Sequence, residues 1–579
     1  MNIGSGHWTI ALDGTSLPDK ALIGGKAWSI AWMQSLGLPV PPAFVITTEA
    51  CRQYLQSGTL PPALLDEIAL GISWLEKETG KALGDPHDPL LLSVRSGAPV
   101  SMPGMMDTVL NLGIDPTTER ALARLTGDED FARDTHRRFY ELYSSIVLRL
   151  SHPPFSGADN SSWDSDIIAL GGRMPKRSDE RLIEAVRAVF ESWHSRRAKR
   201  YREHHGISHH LGTAVTIQAM VFGNRDARSG TGVLFTRNPL NGAKVPFGEY
   251  LPRAQGEDVV SGKFTPLPLS VMRDTVPDAY KTLLDAAARL EQVNCDIQDI
   301  EFTVESGTLY LLQTRSAKRA PEAAVQVAVD MVDEGLITPQ VALSRVTSEQ
   351  IKTLLLPRLA DEISSQATII ASGEGACPGI AVGIVVTDPD EAEKRARAGD
   401  AVILARRTTS PDDVHGMIAA KGVVTEHGGA TSHAAVVCRA LGRPCVVGTG
   451  EGIVMLAGRT ITLDGESGNI FDGALRSLSY SESEDERLTR LIEWARHLSS
   501  VKVCSPEDAP NGPEVIDLDV LNPTIDLDGM AAAIRGAKAV RGSIFHDNRA
   551  IAVAIDQGVE LIIIRPVLPA LLAILEHSS

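Results

Sequence analysis

The sequence has few cysteines and no long uninterrupted hydrophobic run. Its six cysteines include no CxxC pair, so neither a zinc site nor a disulfide framework is predicted. The most apolar segment, VELIIIRPVLPALLAIL, is interrupted by Arg565, Pro566 and Pro569, and its pieces are too short to span a bilayer. The residues MNIGSGHWTIALDG lack the basic and apolar regions of a signal peptide. These absences favour a cytoplasmic protein with reduced thiols and no membrane segment.

An excess of positive charge is missing as well. The formal net charge is −17 at pH 7, which argues against broad binding to nucleic acids or anionic membranes. Small nucleotides are not excluded, because a few arginines can still face their phosphate groups. The 579 residues, 43% of them hydrophobic, predict a globular protein of about three to four domains, at roughly 150 residues each.

Residues 422–450, GVVTEHGGATSHAAVVCRALGRPCVVGTG, combine an apolar run, two glycines and a predicted helix start. The glycines let the backbone approach a ligand closely, and Thr431 or Ser432 can cap the helix. His433 then lies in the first turn, where the helix field favours a neutral imidazole and an attached anion. A lone histidine at a helix start is more often structural. The coincidence of glycines, hydroxyls and histidine favours a phosphoryl carrier here.

Three glycine- or arginine-containing segments in the first half are candidate phosphate sites. Gly24-Gly25-Lys26 precedes a predicted helix, but it lacks the spacing of a Walker A loop. Arg95 ends a predicted strand, and its guanidinium fork suits phosphate. The glycine loop at residues 229–232 can fold over a nucleotide, although an ordinary hairpin turn explains it equally well. Each signal is weak when taken alone.

The segment DIQDIEFTVESGTLYLLQTRS predicts two strands joined by the turn Glu305-Ser306-Gly307. Facing strands can bring Glu301 and Gln313 together, and oxygen ligands of this kind suit Mg²⁺. Arg315 lies two residues after Gln313 and therefore points to the same face. Together with Asp299, these residues form a stronger signal than any one of them.

Two further groups leave open alternatives. The histidines at positions 204, 205, 209 and 210 invite a metal hypothesis, but no cysteine or carboxylate stands at a suitable spacing, so metal binding is disfavoured. Arg406 and Arg407 can face phosphate or simply carry surface charge. Arg138 has the same two interpretations, a phosphate contact or a solvated helix face.

Several of these segments resemble the pyruvate phosphate dikinase and phosphoenolpyruvate synthase family, with the dikinase closer. The resemblance lies in GGATSHAAVVCRALGRPCVVG, in LLSVRSGAPVSMPGMMDTVLNLG, and in FTRNP and AQGEDVVSG. It implies that His433 is phosphorylated and swivels between two active centres. It further implies a role for the following residues in binding ATP, Mg²⁺ or inorganic phosphate: Lys26, Arg95, Arg138, Asp299, Glu301, Gln313 and Arg315, with Glu301 and Gln313 as metal ligands.

The expected fold class is a multidomain α/β and α+β protein. The resemblance implies an ATP-grasp nucleotide-binding domain over residues 1–325, with a helical insert at about 115–210, and a swivelling α/β phosphohistidine domain over 367–475. Helical linkers are expected at 326–366 and 476–500. Residues 501–579 are expected to form a small α/β unit, with an apolar last helix that leaves an exposed patch.

The expected function is ATP- and Mg²⁺-dependent transfer of the ATP β-phosphate to His433, with AMP and pyrophosphate formed and inorganic phosphate as co-substrate. In the family the acceptor is pyruvate, which is bound by a C-terminal TIM barrel. The residues after Cys504 show none of the substrate motifs of that barrel. An acceptor held by another polypeptide or by the small C-terminal unit is therefore expected. Alternatives are a non-cycling regulatory protein that binds ATP and a dikinase fragment without net reaction. The family also suggests a homodimer.

Overall fold

The computed structural model describes residues 7–100, 102, 105–150, 155, 162–260, 264–355, 359, 366–476, 481–509, 515–521 and 526–577. Segments of strand and helix follow one another along the chain. The described strands form four sheets of four or more strands and one two-stranded sheet. Within the described residues, no helix has the length and apolar character needed to cross a membrane. The architecture is mixed α/β.

The first half contains two antiparallel sheets. The first has the order β1-β2-β7-β5-β6, and the second has the order β10-β9-β8-β11-β12. The strands are β1 (Thr9–Leu12), β2 (Ala43–Ile46), β3 (Ala82–Leu83), β4 (Pro89–Leu90), β5 (Leu92–Gly97), β6 (Thr108–Leu112), β7 (Ala214–Ala219), β8 (Gly230–Phe235), β9 (Phe247–Pro252), β10 (Leu267–Pro268), β11 (Gln298–Glu305) and β12 (Thr308–Ser316).

Helices cover both sheets. They are α1 (Lys20–Ser35), α2 (Thr48–Ser57), α3 (Pro62–Thr79), α4 (Pro116–Thr126), α5 (Glu129–Ile146), α6 (Trp163–Ala169), α7 (Ser178–Ser192), α8 (Arg196–His204), α9 (Gly256–Val260), α10 (Leu269–Thr275) and α11 (Pro277–Asn294). Local sequence explains several ends, since Asp115 forms a capping box at α4 and Gly127 ends that helix with a positive φ. Helices α4 to α8 lie within the segment predicted to be helical. We call residues 7–316 the nucleotide part.

Three helices, α12 (Pro321–Asp333), α13 (Pro339–Ser344) and α14 (Ser348–Leu354), lead to an eight-stranded sheet. Its order is β13-β20-β19-β15-β16-β17-β18-β14, and β15 to β18 run parallel. We call residues 369–472 the histidine domain. Its elements are β13 (Ile369–Ser372), β14 (Glu374–Cys377), β15 (Ile380–Val386), α15 (Pro389–Arg397), β16 (Val402–Arg406), α16 (Val414–Ala419), β17 (Gly422–Thr425), α17 (His433–Leu441), β18 (Cys445–Val447), β19 (Thr460–Asp464) and β20 (Asn469–Asp472).

The C-terminal unit contains a four-stranded parallel sheet in the order β21-β24-β23-β22. Its elements are α18 (Glu486–Leu498), β21 (Lys502–Cys504), β22 (Val515–Asp517), α19 (Leu518–Leu521), α20 (Leu527–Ala533), β23 (Ala539–Arg541), α21 (Asn548–Asp556), β24 (Leu561–Ile563) and α22 (Leu568–His577). Strands β22 and β23 were not expected from the sequence, because each has only three residues in a polar surrounding.

One hydrophobic core joins this C-terminal unit to the helices that precede the histidine domain. Ile351 of α14, Leu491 of α18 and Leu571 of α22 all belong to it. The expectation that the last helix leaves an exposed patch is wrong, because α22 is buried in this core along most of its length. Among the described residues of the unit, the exposed large apolar side chains are instead Leu498 at the end of α18 and Val520 and Leu521 on α19.

Candidate active site

A cavity of about 740 Å³ lies between the two sheets of the nucleotide part and the histidine domain. Helix α1, the end of β5, and strands β11 and β12 form most of its wall. The histidine domain closes one side with residues 409–411, Thr431 and His433. Part of the wall is apolar, with Trp28, Trp32 and Met102. Residues predicted from distant parts of the sequence therefore meet at one place.

Lys26 reaches the cavity because α1 approaches β5 very closely. Gly24 has φ +76° and ψ 161°, a conformation that interrupts the helical dihedrals of α1. A Cβ added at Gly24 would lie 2.0 Å from the carbonyl oxygen of Gly97. The glycines thus bring the start of α1 against the end of β5. Lys26 lines the cavity and has no hydrogen-bond or ion-pair partner among the described residues.

The hairpin of β11 and β12 carries four of the predicted residues. Asp299 pairs with Arg315 across the ladder, and Glu301 pairs with Gln313. The Arg315 Nε donates to Asp299 Oδ2 at 2.7 Å. Side chains two residues apart on one strand point to the same face, and a bulge between Glu301 and Phe302 brings Gln313 opposite Glu301, so all four residues line the cavity.

Charges around Glu301 determine its protonation. Burial opposes its ionisation, but the nearby charges of Arg95, Arg315 and Lys26 outweigh burial and hold the pKa of Glu301 below its usual range. The Arg95 Nη2 lies 3.3 Å from Glu301 Oε2. Arg95 therefore lies behind Glu301 and does not form part of the cavity wall, so its direct contact with phosphate stays a prediction. Burial raises the pKa of Asp299, against the charge of Arg315.

The carboxylate of Glu301 and the amide oxygen of Gln313 face the cavity from neighbouring positions. Mg²⁺ takes carboxylate and amide oxygens as ligands and completes its coordination with water and substrate phosphate oxygens. These two residues therefore fit a magnesium site. The buried Asp299 leaves its Oδ1 without a partner, which adds an orphaned acceptor to the same wall.

His433 begins helix α17, with Ser432 in the N-cap position. The predicted capping bond is not formed, because the Ser432 hydroxyl makes no hydrogen bond to the helix and has no partner. The imidazole Nδ1 lies 3.3 Å from the Thr409 hydroxyl, whereas Nε2 is buried and without a partner. Burial lowers the pKa of His433 to about 4. A neutral imidazole that donates from Nδ1 to Thr409 keeps a free electron pair on Nε2.

Contacts between the two parts hold the loop before His433. Thr431 donates its hydroxyl proton to the carboxylate of Glu249 on β9. A Cβ at Gly429 would lie 2.3 Å from Glu249 Oε1, so a larger residue there would displace the Glu249 carboxylate from its contact with Thr431. On the inner side, the buried Arg439 Nη2 donates to the carbonyl oxygen of Ala430 at 2.7 Å. The loop is therefore fixed from both sides.

Other predicted residues lie elsewhere. Arg138 is away from the cavity wall and pairs with Asp134, Glu257 and Asp258, so it is not on a solvated helix face. Burial opposes its ionisation, but its hydrogen-bonded carboxylates raise the pKa of Arg138.

The interpretation of residues 229–232 as a nucleotide-covering loop is wrong. Gly230 and Gly232 lie in buried strand β8, where a Cβ at Gly230 would lie 2.2 Å from the Tyr250 hydroxyl. Arg406 and Arg407 also miss the cavity, and the nearby Thr409 reaches it instead. Sequence reasoning did not single out Thr409 or Glu249. The signal for Thr409 is its position just beyond β16, since ligands bind at the carboxyl ends of parallel strands.

Comparison with known proteins agrees with this arrangement. The family profile of the pyruvate phosphate dikinase AMP/ATP-binding domain matches residues 20–69 and 57–280, and that of the mobile domain of PEP-utilising enzymes matches residues 398–468. Pyruvate, phosphate dikinase of Clostridium symbiosum is 41% identical over 542 residues, which covers 87% of this chain and 62% of the relative. Pyruvate, phosphate dikinase 2 of Zea mays is 43% identical over 529 residues, 85% of this chain and 60% of the relative.

The chloroplastic pyruvate, phosphate dikinase of Flaveria trinervia is 42% identical over 530 residues, and the match covers 55% of that relative. The chain thus spans less than two thirds of the length of these relatives. Both profiles fall on the parts of the structure that meet at the cavity, the first on the nucleotide part and the second on the histidine domain. The chain belongs to the pyruvate phosphate dikinase family.

Proposed function

We propose that this chain is an ATP- and Mg²⁺-dependent phosphotransferase that moves the β-phosphoryl group of ATP to Nε2 of His433. The observation that carries the proposal is that His433, whose Nε2 has no partner, lines the same cavity as Lys26, Glu301 and Arg315. An imidazole with a free electron pair, an unpaired lysine amino group and a magnesium-type ligand set are what phosphoryl transfer from a nucleotide requires.

Each residue then has a role that its contacts support. Lys26 and Arg315 bind the polyphosphate, and Asp299 holds the Arg315 fork in place through its 2.7 Å hydrogen bond. Glu301 and Gln313 would hold Mg²⁺, which neutralises phosphate charge when bound. Arg95 keeps Glu301 ionised and oriented.

In the reaction, the Nε2 electron pair forms a bond to the β-phosphorus, and AMP leaves with the bridging oxygen. The γ-phosphoryl group passes to inorganic phosphate, which gives pyrophosphate and leaves one phosphoryl group on His433. Thr409 accepts the Nδ1 proton in a hydrogen bond and so keeps the tautomer in which Nε2 is the nucleophile. An acceptor bound away from this cavity, either pyruvate or another molecule, then takes the group. That delivery requires His433 to leave the cavity.

The test is labelling with ATP carrying ³²P at the β-position, in the presence of Mg²⁺ and phosphate. The protein should acquire about one acid-labile, base-stable label per chain, and His433→Asn should abolish it. The matched control is His427→Asn, because His427 is an exposed histidine on the same loop and should not affect labelling. Label in His433→Asn equal to that of the wild type would refute the proposal. Tight ATP binding without any label would instead identify a non-cycling nucleotide sensor.

A further inference from the structure

A second cavity, of about 580 Å³, lies between helix α8 of the nucleotide part and helices α15 and α16 of the histidine domain. It adjoins the candidate active site at Pro411, which lines both. Neither the proposed phosphoryl transfer nor the family profiles give it a role. Its walls come from two parts of the chain, so any ligand bound there contacts both.

Three metal-binding side chains converge on this cavity. Asp390 and Glu393 stand three residues apart on α15 and so share a helix face, and His415 lies on the neighbouring helix α16. One ligand atom from each lies within 4.8 Å of the other two. Ligands at about 2.1 Å from a tetrahedral zinc ion lie roughly 3.4 Å apart, so small side-chain rotations close the difference.

The opposite wall offers a second imidazole. Of the four histidines at positions 204–210, His204 is the one that lines this cavity. Its ring nitrogens lie outside the set of ligand atoms that are within 4.8 Å of one another, so His204 has to turn towards the other three residues to bind the same ion. His209 faces elsewhere, and its Nδ1 accepts a hydrogen bond from the buried Arg202. The sequence disfavours a metal site at these histidines because no cysteine or carboxylate stands at a suitable spacing from them. The fold supplies two carboxylates from the histidine domain, about 190 positions further on.

Existing contacts of the three residues compete with a metal ion. His415 Nε2 lies 2.9 Å from Asp390 Oδ1, and Arg397 donates to Glu393 Oε1 at 2.7 Å. Asp390 is 75% exposed and Arg397 is 77% exposed, and such surface ion pairs contribute little to stability. Arg196 and Arg200 also line the cavity and oppose a cation. The pair between Arg397 and Glu393 is the contact that a metal must displace.

We propose that Asp390, Glu393 and His415 bind a divalent transition-metal ion of the Zn²⁺ type, with His204 as the fourth ligand. Imidazole nitrogen together with carboxylate oxygen suits zinc or cobalt better than magnesium, which prefers oxygen alone. Because the ligands come from both parts of the chain, the bound ion stabilises the arrangement in which His433 faces the nucleotide cavity.

The test uses Co²⁺ alone, titrated into chelator-treated full chain without nucleotide or Mg²⁺. The visible absorption of bound Co²⁺ should saturate at one ion per chain, and Zn²⁺ should displace it. His415→Ala and Asp390→Asn should each weaken binding at least tenfold, and Arg397→Gln should tighten it because Glu393 is freed. His210→Ala is the control, because His210 is exposed and does not line this cavity, and it should not change the absorption.

His204→Ala tests the bridging part of the proposal and should weaken Co²⁺ binding about tenfold. Unchanged affinity in His204→Ala would place the site on the histidine domain alone and overturn the bridge. Saturable Co²⁺ binding that survives His415→Ala, or no saturable binding at all, would overturn the site itself. These readouts do not depend on His433 labelling, so the failure of one proposal is distinguishable from the failure of the other.

Discussion

At the scale of single residues, the protonation of His433 and Lys26 is controlled by burial. Burial lowers the pKa of both groups, because it disfavours the charged form of each. His433, with a pKa lowered to about 4, is neutral throughout the physiological range and does not limit phosphoryl transfer above about pH 5. Lys26 is different, because its pKa lies close to neutral pH and a bound anion will shift it.

Lys26 is predicted to take up a proton when ATP binds. Burial, together with the charge of Arg95, lowers the pKa of Lys26 to about 7. The bound polyphosphate favours the ammonium form and raises that pKa, so between about pH 7.5 and 8.5 binding should take up close to one proton. Below pH 6 Lys26 is already protonated, and the uptake should vanish. Calorimetric titration with MgATP in buffers of different ionisation enthalpy measures it.

Lys26→Arg is the matched variant, because an arginine keeps its charge at every pH used. It should bind MgATP without proton uptake at pH 8. Equal uptake in the wild type and in Lys26→Arg would mean that another group titrates and that Lys26 is already charged in the free protein.

At the scale of secondary-structure elements, the close approach of α1 and β5 positions the lysine. Gly24→Ala should destabilise the protein by about 2–4 kcal/mol, since it combines an unfavourable dihedral region with overlap against Gly97. Gly58→Ala is the control, because Gly58 also has a positive φ but has open space around it, and it should cost roughly 1 kcal/mol. Thermal unfolding and His433 labelling of both variants measure the difference. Similar losses in both variants would show that the approach to Gly97 contributes nothing.

Element by element, the sequence predicts the hairpin of β11 and β12 well and the segment at residues 229–232 poorly. The alternation and the tight turn predict the two strands and place Asp299 with Glu301, and Gln313 with Arg315, on one face of their own strand. A bulge between Glu301 and Phe302, which no local pattern predicts, then shifts the register so that Gln313 lies opposite Glu301. The glycines at 230 and 232 are equally suited to a loop and to a crowded strand. Only the packing of Tyr250 and Phe302 against them, which is a long-range contact, decides between the two.

At the scale of the whole molecule, the docking of the histidine domain depends on a contact that no local pattern shows. Glu249 and Thr431 are far apart in the sequence and meet only when the two parts dock. Thr409 reaches His433 from the neighbouring end of β16 within the histidine domain itself, a contact that depends on the order of the strands in the sheet. The candidate phosphate-binding residues that line the cavity could be predicted because their chemistry is visible locally. The residues that position the histidine could not, because their role arises from domain packing.

Glu249→Ala should lower the rate of His433 labelling about tenfold while leaving ATP affinity unchanged. Removing the acceptor for Thr431 costs about 1.4 kcal/mol of docking, and Glu249 does not line the nucleotide cavity. Burial, with the nearby charge of Glu374, raises the pKa of Glu249, so Glu249→Gln should keep most of the rate. Rapid-quench labelling and equilibrium nucleotide binding separate the two effects. Glu78→Ala, an exposed glutamate on α3, is the control.

A reduced ATP affinity in Glu249→Ala would contradict this assignment, since it would place Glu249 in nucleotide binding. An unchanged labelling rate would show that other contacts alone hold the domains together.

The core shared by α14, α18 and α22 determines how the histidine domain is tethered. The chain enters that domain after α14 and returns to the same core at α18, so both ends of the domain are attached to one body. A domain joined to another body by one linker can take many orientations, whereas a domain joined to that body by two neighbouring linkers is restricted to rotation about one axis. The effective concentration of His433 at the nucleotide cavity and at the proposed acceptor site is correspondingly higher, because the domain can adopt fewer other orientations. In the proposed delivery of the phosphoryl group, the C-terminal unit is the fixed body about which the histidine domain turns.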